Sequence, residues 1–524
     1  MAPTLDNGAA LSPVGAVELI PPPPPAPLLD PDELRRQGHQ VIDLMADYYA
    51  RMDDYPVRPN MSPGFLRRQL PAKAPLRPEP DAFESALRDV RDLILPGMTH
   101  WQSPRHFAHF PASSSTVAAL GEALTAGINS NPFTWTASPA ATELEMVVVD
   151  WLAKALHLPR ALMFCGGGGG TLLGTTCEAI LCALVAARDR KLKLAGTTIG
   201  DLVVYCSDQT HFAFRKAAHV AGIHHDNCRV IPTCRSDMFA LSPARLQAAM
   251  QADLDAGLVP LFLCATVGTT QTTAVDPIRD LCAVAAPHGV WVHVDAAYAG
   301  SALVCPEFRD MIDGAEALDS FSMNAHKWLL ANTDCCALWL KKPSLLVAAL
   351  GMEQQDYILK DANVGDDDVV VDYKDWSLTL TRRFRALKLW LVLRCYGVEG
   401  LRDHVRAHVH MAVLFEKMVK DDARFELMAT RRLALVCFRL RATDKLGGEK
   451  AANDLNKKLL EDVNATAAGP YMSPAVVSGA YMLRCAVGST LTEEHHVRQA
   501  WKVVQDRAAS LLSKMEKACT GVAK

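Results

Sequence analysis

The sequence predicts an α/β protein, a mostly parallel sheet with helices on both faces, followed by a small α+β unit. Three observations carry that reading. Through the middle of the chain, short β-branched and aliphatic runs alternate with longer helical stretches, the texture of repeated strand–helix–strand crossovers. The 524 residues, 50% hydrophobic and 21% charged, suffice for two or three layers around a large core. Past about residue 400 the alternation stops, leaving two strand runs among helices.

Taken in order, residues 1–27 end in Pro21 to Pro25, Ala26 and Pro27, a run that favours polyproline II and cannot build a core. A flexible tail is expected there. Asp30-Pro31-Asp32-Glu33 reads as an N-cap, an N1 proline and a capping-box glutamate. Val41, Ile42, Met45, Tyr48, Tyr49 and Met52 follow at helical spacing and form one apolar stripe. Helix-like segments continue to about Leu95, so residues 28–115 are read as a mostly helical segment. The large domain, residues 116–400, carries the strand runs Leu202–Tyr205, Val230–Ile231, Leu261–Cys264, Val290–Val294 and Ala337–Leu340. Ser242–Ala256 and Pro277–Ala286 are helices between them. The small terminal domain, residues 401–524, holds the strand runs Leu433–Leu440 and Tyr481–Val487. It closes on a helix from near Thr492 with Val497, Trp501, Val504, Ala508 and Leu511 on one face.

Composition excludes several classes. The net charge of −4 offers no global basic field for nucleic acid. No apolar run reaches the roughly 18 residues that a membrane span needs. The opening Met1-Ala-Pro-Thr-Leu-Asp lacks the basic and apolar regions of a secretory signal. Fifteen cysteines lie scattered without a C-x-x-C pair, and Cys335 and Cys336 are adjacent in an apolar stretch. Buried reduced thiols suit that pattern better than bridges or zinc. The expectation is a cytoplasmic enzyme acting on a small molecule, with no metal and no nucleic-acid or membrane partner.

Three segments carry chemistry. Gly166 to Gly170 run through Thr171-Leu-Leu-Gly-Thr-Thr-Cys-Glu178 into the apolar helix Ala179–Arg188. Glycines, small hydroxyls and a helix N-terminus make a phosphate cradle, because free N–H groups and the helix dipole face the anion. Neither dinucleotide nor P-loop spacing can be fitted, and a flexible glycine linker is the alternative. In His293-Val-Asp295-Ala-Ala-Tyr-Ala-Gly300, an Asp ends a buried strand, where it carries a desolvation cost unless a cation or donor faces it. A simple capping Asp is the alternative. In Ser322-Met-Asn-Ala-His-Lys327-Trp, a Lys sits between His326 and Trp328 in apolar surroundings. Buried lysines become neutral amines able to form Schiff bases, whereas a Lys at a strand end can also snorkel outward. Together, a cradle, then an Asp, then a Lys form the order that a pyridoxal-phosphate enzyme requires.

At this point the chain resembles the group II pyridoxal-phosphate decarboxylases, specifically the plant aromatic-L-amino-acid decarboxylases of the tyrosine/dopa type. The matching segments are Pro96–Pro104, Asn131–Pro139, Asp208–His211, His293–Ser301 with Cys305–Phe308, Asn324-Ala-His-Lys-Trp328 and Arg382–Arg385. The similarity runs from about Leu28 to Ala508. It implies a fold-type I homodimer with a mostly parallel seven-stranded sheet, an N-terminal helical clamp and a small C-terminal domain. Lys327 matches the Schiff-base lysine and Asp295 the pyridine-nitrogen partner. Ala297 and His211 match the residues on the two faces of the ring. Thr176 and Cys177 match the phosphate-binding pair, with Thr270, Asn324 and His326 in the cofactor shell. Trp101, His109, Phe110 and Pro111 match the aromatic substrate pocket, and Thr381 a ring-selectivity position supplied by the partner subunit. Three departures stand out: Cys177 where the family usually has Ser, His109 where it usually has an aromatic residue, and a loop Glu353–Lys360 with an extra residue. Tyr357 is the candidate for the loop tyrosine.

The resemblance implies decarboxylation of tyrosine or dopa to tyramine or dopamine and CO₂. Tyr357, assisted by His211, protonates the substrate carbon, and Lys327 releases the amine. The alternatives are an aromatic aldehyde synthase, a tryptophan or phenylalanine decarboxylase, and an inactive family member acting as a binding partner. In this family the aldehyde synthases carry Phe at the loop tyrosine, so Tyr357 favours plain decarboxylation. Intact Lys327, Asp295 and His211 oppose the inactive reading.

Overall fold

The computed structural model describes residues 28–351, 370–441 and 448–521. The Pro-rich tail and the loop with Tyr357 lie outside them. By its internal contacts the chain divides into two units. One comprises the described residues up to Asp54 with Asn60–Met98; the other comprises Tyr55–Pro59 and what is described from Thr99 onward.

The first unit is helical. Its opening helix spans Pro31–Ala50, and the Asp30 carboxylate accepts the N–H groups of Asp32 at 2.8 Å and Glu33 at 3.2 Å. That is the cap the sequence predicts, and it satisfies two of the donors a helix start leaves open. No residue of this helix is fully buried; of its apolar stripe Val41, Met45 and Tyr48 are half-buried, while Ile42 and Tyr49 are exposed.

The second unit holds two sheets. β1 (His106–Phe107) opens it, and then come β2 (Gly169–Leu173), β3 (Leu202–Ser207), β4 (Cys228–Ile231), β5 (Val259–Thr266), β6 (Trp291–Asp295), β7 (Ser320–Asn324) and β8 (Cys336–Leu340). The terminal part adds β9 (Phe425–Leu427), β10 (Leu435–Leu440), β11 (Tyr471–Val477) and β12 (Ala480–Ala486). The larger sheet has seven strands in the order β2-β8-β7-β6-β5-β3-β4. β8 alone runs antiparallel to both neighbours; the remaining pairs are parallel. This is the mostly parallel sheet that the alternating pattern predicts. Apart from the edge strand β4, whose Val230 is exposed, its strands are buried on both faces, as strands of a sheet covered by helices must be. In β8, for example, Ala337 and Trp339 join one core while Cys336, Leu338 and Leu340 join the other.

Two strands of this sheet were not legible as strands. β7 is mostly small and polar, and β2 begins inside the glycine run that the sequence offered as a cradle or a linker. Gly169 and Gly170 are buried strand residues paired with Leu340 and Trp339. Their role is close approach: a Cβ on Gly170 would meet Trp339 Cδ1 at 2.7 Å and the Leu338 carbonyl oxygen at 3.0 Å. Only Thr175 to Cys177, beyond the strand, open the helix Thr176–Ala195.

The second sheet is five-stranded, in the order β1-β11-β12-β10-β9. β1 is its edge, pairing in parallel with Tyr471 and Met472. Residues 99–115 thereby belong to the second unit, where they form a wall of the site. Arg382 ties the loop before the long helix Arg385–Asp421 to the larger sheet. Its guanidinium donates to Glu145 at 2.7 Å, Thr171 Oγ1 at 3.0 Å and the Leu172 carbonyl at 3.1 Å, all buried. Among the described residues no helix is long and apolar enough to cross a membrane.

Because the Gly170 position has no room for a side chain, we expect Gly170→Ala to lower thermal stability by about 1–3 kcal/mol through overpacking. Melting curves of the two proteins check it, and an unchanged midpoint would refute the close-approach role.

Candidate active site

In a parallel sheet the loops at the carboxyl ends of the strands converge, and ligands bind there. The site follows that rule. Asp295 is the last residue of β6, Asn324 the last of β7, and Thr266 the last of β5. His211 follows β3, and Thr176 opens the helix after β2. Two cavities meet at this edge and share Phe110, His211, Thr270 and Lys327 in their walls.

The smaller cavity measures about 260 Å³. Thr175, Thr176 and Cys177 are in its lining. Thr175 is the N-cap, and its hydroxyl accepts the Glu178 N–H at 3.4 Å. The Thr176 hydroxyl donates to Asn324 Oδ1 at 3.0 Å, joining the helix start to the end of β7. Unpaired N–H groups and the dipole of a twenty-residue helix favour an anion at this end.

Asp295 and Lys327 line the same cavity. β6 and β7 are neighbours with Asp295 opposite Ser322, so the two chain ends bring a carboxylate and an amine into one cavity. Asp295 Oδ1 accepts the Ala297 N–H at 2.9 Å. Burial pushes the Asp295 carboxyl above its ordinary value, opposed by Lys327, the Ala297 N–H and His211. Burial likewise pushes the Lys327 amine down, opposed chiefly by Asp295. A lowered amine pKa raises the neutral, nucleophilic fraction. Lys327 is held by its backbone, since its carbonyl accepts the Ser113 N–H at 3.2 Å.

Two histidines present a defined nitrogen. The Ala213 N–H donates to His211 Nδ1 at 3.3 Å, and the Cys335 N–H donates to His326 Nδ1 at 2.9 Å. An Nδ1 that accepts leaves the proton of a neutral imidazole on Nε2. Desolvation lowers the His211 pKa and lowers that of His326 to about 4, so both rings are neutral donors at neutral pH.

The larger cavity, about 680 Å³, is walled by Trp101, His109, Phe110, Pro111, His326 and Lys327. Phe110 stacks on Tyr298 with centroids 3.7 Å apart, and Tyr298 stacks on Trp328 at 4.9 Å. Trp328 Nε1–H donates to His408 Nδ1 at 2.8 Å, which anchors the stack in the long helix. Trp101 stacks on His106 at 4.8 Å and on His109 at 5.4 Å. His109 has φ +58° and is kept there by its N–H bond to Ser473 Oγ at 3.1 Å.

The structure therefore brings together Trp101, His109, Phe110, Pro111, Thr176, Cys177, His211, Thr270, Asp295, Ala297, Asn324, His326 and Lys327. Thr381 is exposed and lines neither cavity in this chain. Tyr357 lies outside the described residues. Sequence reasoning missed Thr175, Thr266, Tyr298 and Arg484, which also line the cavities. For Arg484 a signal existed: a lone cation inside the apolar strand run Tyr481–Val487.

Residues 63–441 match the family described as the pyridoxal-dependent decarboxylase conserved domain. The chain belongs to that family. A tyrosine decarboxylase of Oryza sativa subsp. japonica is 75% identical over 496 residues, covering 93% of each chain. A phenylacetaldehyde synthase of Petunia hybrida is 53% identical over 492 residues, covering 93% of this chain and 96% of that one. The solved structure of Oryza sativa TDC with PLP and tryptamine superposes with a TM-score of 0.90 at 45% identity, covering 93% of this chain and all of that one.

The family's cofactor, pyridoxal phosphate, fits the smaller cavity. The helix start offers N–H donors to the phosphate, and Asp295 is a buried carboxylate that calls for a cationic partner. The Thr266 hydroxyl, buried in the same wall, has no hydrogen-bond partner among the described residues. Such an orphaned group is ordinarily satisfied by a ligand or an ordered water.

The wall behind Trp101 has a pH signature. Burial, with His109 adding to it, pushes His106 down to about 4 from 6.5. Below pH 6.5 an unfolded chain binds a proton that folded His106 refuses, so stability falls as pH drops from 6.5 to about 4. We expect His106→Phe, which keeps the ring stack, to show a smaller fall in melting temperature across that window. Equal slopes for both proteins would refute it.

Proposed function

We propose that this protein decarboxylates an aromatic L-amino acid, with tyrosine and dopa preferred, to the corresponding arylalkylamine and CO₂. The observation that carries the reading is the junction of the two cavities: Lys327 and Asp295 in the wall of a cofactor-sized space that opens into an aromatic-walled one. When bound, pyridoxal phosphate supplies the carbonyl that captures amines and the ring that accepts the electrons released with CO₂.

The chain's own residues do the rest. Thr176, Cys177, Thr270, Asn324 and His326 hold the cofactor, with His326 donating from Nε2. Asp295 would face the pyridine nitrogen and favour its protonated form, Ala297 and His211 would pack against the ring, and the Lys327 amine would hold the cofactor through its aldehyde until a substrate amine takes its place. Trp101, His109, Phe110 and Pro111 receive the aromatic ring, and neutral His109 offers a partner to a phenol hydroxyl. Tyr357, with His211, returns a proton to the substrate carbon.

The active site is completed by a second copy of the chain. Leu120, Leu124 and Ile128 on the helix Thr116–Ile128 are exposed, and so are Leu378 and Leu380 beside Thr381. An exposed apolar face of this kind fits a homodimer interface, and Thr381 then reaches the partner's pocket. Arg382, buried and bonded next door, gives Thr381 a rigid base. Of residues 28–115 we read the helical part as the dimerisation segment, with 99–115 lending β1 and the pocket wall to the second unit, 116–400 as the cofactor domain and 401–524 as the terminal domain. The fourteen cysteines resolved among the described residues are all free, which supports a cytoplasmic enzyme.

The aldehyde-synthase reading is kept as second because of the Petunia hybrida relative; Tyr357 favours the amine. Incubation with tyrosine, dopa, phenylalanine and tryptophan, with amine, aldehyde and peroxide quantified, separates the readings. We expect amine from the phenolic substrates with no matching peroxide. Lys327→Ala is expected to abolish turnover and any borohydride-reducible bond to the cofactor; a retained reducible bond would refute the assignment. Thr381→Gly is expected to improve tryptophan use relative to tyrosine by the equivalent of about 1–3 kcal/mol, since it returns volume to the pocket. Competition between the two substrates measures it, and no gain for tryptophan would refute the placement of Thr381.

A further inference from the structure

Behind the pocket wall lies a buried imidazole that the roles above leave unused. His408, in the long helix Arg385–Asp421, is 3% exposed. Its Nδ1 accepts the Trp328 Nε1–H at 2.8 Å, and the two rings lie 6.2 Å apart with an interplanar angle of 2°. The proton of the neutral ring is therefore on Nε2, which donates to the Ser489 backbone. Burial, with the His404 ring 4.4 Å away adding to it, holds His408 well below the ordinary imidazole value, so the neutral ring persists at neutral pH.

A polar ring at this depth is costly unless its nitrogens are bonded, and the two bonds lead to different parts of the site. The first leads to Trp328, the residue after Lys327. Its indole stacks on Tyr298 at 4.9 Å, Tyr298 stacks on Phe110 at 3.7 Å, and Lys327 Nζ lies 5.8 Å from the Phe110 centroid. The second leads to the segment after β12. There the Ser489 hydroxyl donates to the Gln102 carbonyl at 2.9 Å, and Gln102 Nε2 donates to the Ala112 carbonyl at 2.6 Å. Thr490 Oγ1 donates to the Ser114 carbonyl at 2.8 Å. Gly488 approaches Pro111 so closely that a Cβ on it would lie 2.4 Å from Pro111 Cγ. This segment thus grips the loop that carries Trp101, His109, Phe110 and Pro111.

We propose that His408 is a positioning residue of the site, one nitrogen fixing Trp328 beside Lys327 and the other fixing the loop that bears the aromatic wall. The proposal rests on the decarboxylase reading above and deepens it. His408 lines neither cavity, so it acts through Trp328 and Ser489 and not on a ligand. An apolar ring of the same size would fill the space and leave an indole N–H and a backbone carbonyl without partners. Trp328 and the loop would then settle independently, and the spacing between the Lys327 amine and the aromatic wall would drift. A small drift suffices, since a misplacement of about 1 Å at reacting groups can cost about 10²-fold in rate.

The test uses the full-length, cofactor-loaded protein with tyrosine as substrate. His408→Phe keeps a ring and removes both bonds. It is expected to lower kcat per loaded site by about tenfold or more and to move the pH midpoint of the Lys327–cofactor absorbance. His408→Asn, whose amide oxygen can take the place of Nδ1, is expected to recover part of the loss. Trp328→Phe removes the same bond from the other side, so the double variant is expected to lose less than the product of the two single losses. A merely structural role predicts a lower melting temperature with kcat per loaded site, KM and the midpoint unchanged, and that result overturns the proposal. Single losses that multiply in full in the double variant overturn it too. Should His408→Phe fail to fold, wild-type kcat and midpoint in both Trp328→Phe and His408→Asn overturn it. A wild type that turns over no aromatic amino acid counts against the decarboxylase reading, whereas turnover indifferent to His408 counts against the positioning role only.

Discussion

The structure depends on one arrangement: a carboxylate and an amine buried in the same cavity at the ends of adjacent parallel strands. Asp295 and Lys327 each shift the other's titration toward the charged form, while burial pushes both toward neutrality. Either group alone would be a liability in the core. Together they give a site in which a lysine can exchange amines and a carboxylate can face a cationic ring nitrogen. Moving Asp295 by one residue along β6 would turn its side chain to the opposite face of the sheet.

Holding that pair in place is a matter of stiff backbone around it. Asn324 N–H donates to the Ala297 carbonyl at 3.1 Å, and Ala296 N–H to the Ser322 carbonyl at 2.9 Å, so the loop after β6 is pinned to the end of β7. Behind Lys327, the stack Phe110–Tyr298–Trp328 leads to His408 and connects the pocket wall to the long helix. These rings pack in parallel contacts that leave little freedom for the residues between them. The substrate side is built separately, from β1 and β12 of the smaller sheet, where His109, Ser473 and Arg484 share one hydroxyl.

The division of labour is plain. On the proposed reading, the carboxyl ends of the larger sheet's strands serve the cofactor, and the smaller sheet serves recognition of the aromatic ring. Beside Cys177, the backbone N–H groups of the helix start and the Thr176 hydroxyl remain as donors for an anion. His109 shows the freedom of the second, an imidazole in a strained backbone position, stacked on Trp101.

Much of this was legible in the chain. Alternating runs such as Leu261–Cys264 and Val290–Val294 announced a parallel sheet, because strands covered on both faces must be continuously apolar. The cap at Asp30 was readable because its chemistry is local. The order of hydroxyl pair, Asp and Lys also pointed to the cofactor, since those residue types have few other joint uses. Other features were decided only by the tertiary structure. The glycine run became a strand because Trp339 packs against it, a contact between residues far apart in the chain. Arg484 joined the pocket because β12 pairs with β11, which carries the edge strand β1 beside it. Local pattern reports which way a side chain faces relative to its neighbours in sequence. What it faces across the fold depends on strand order and register, which form through long-range packing.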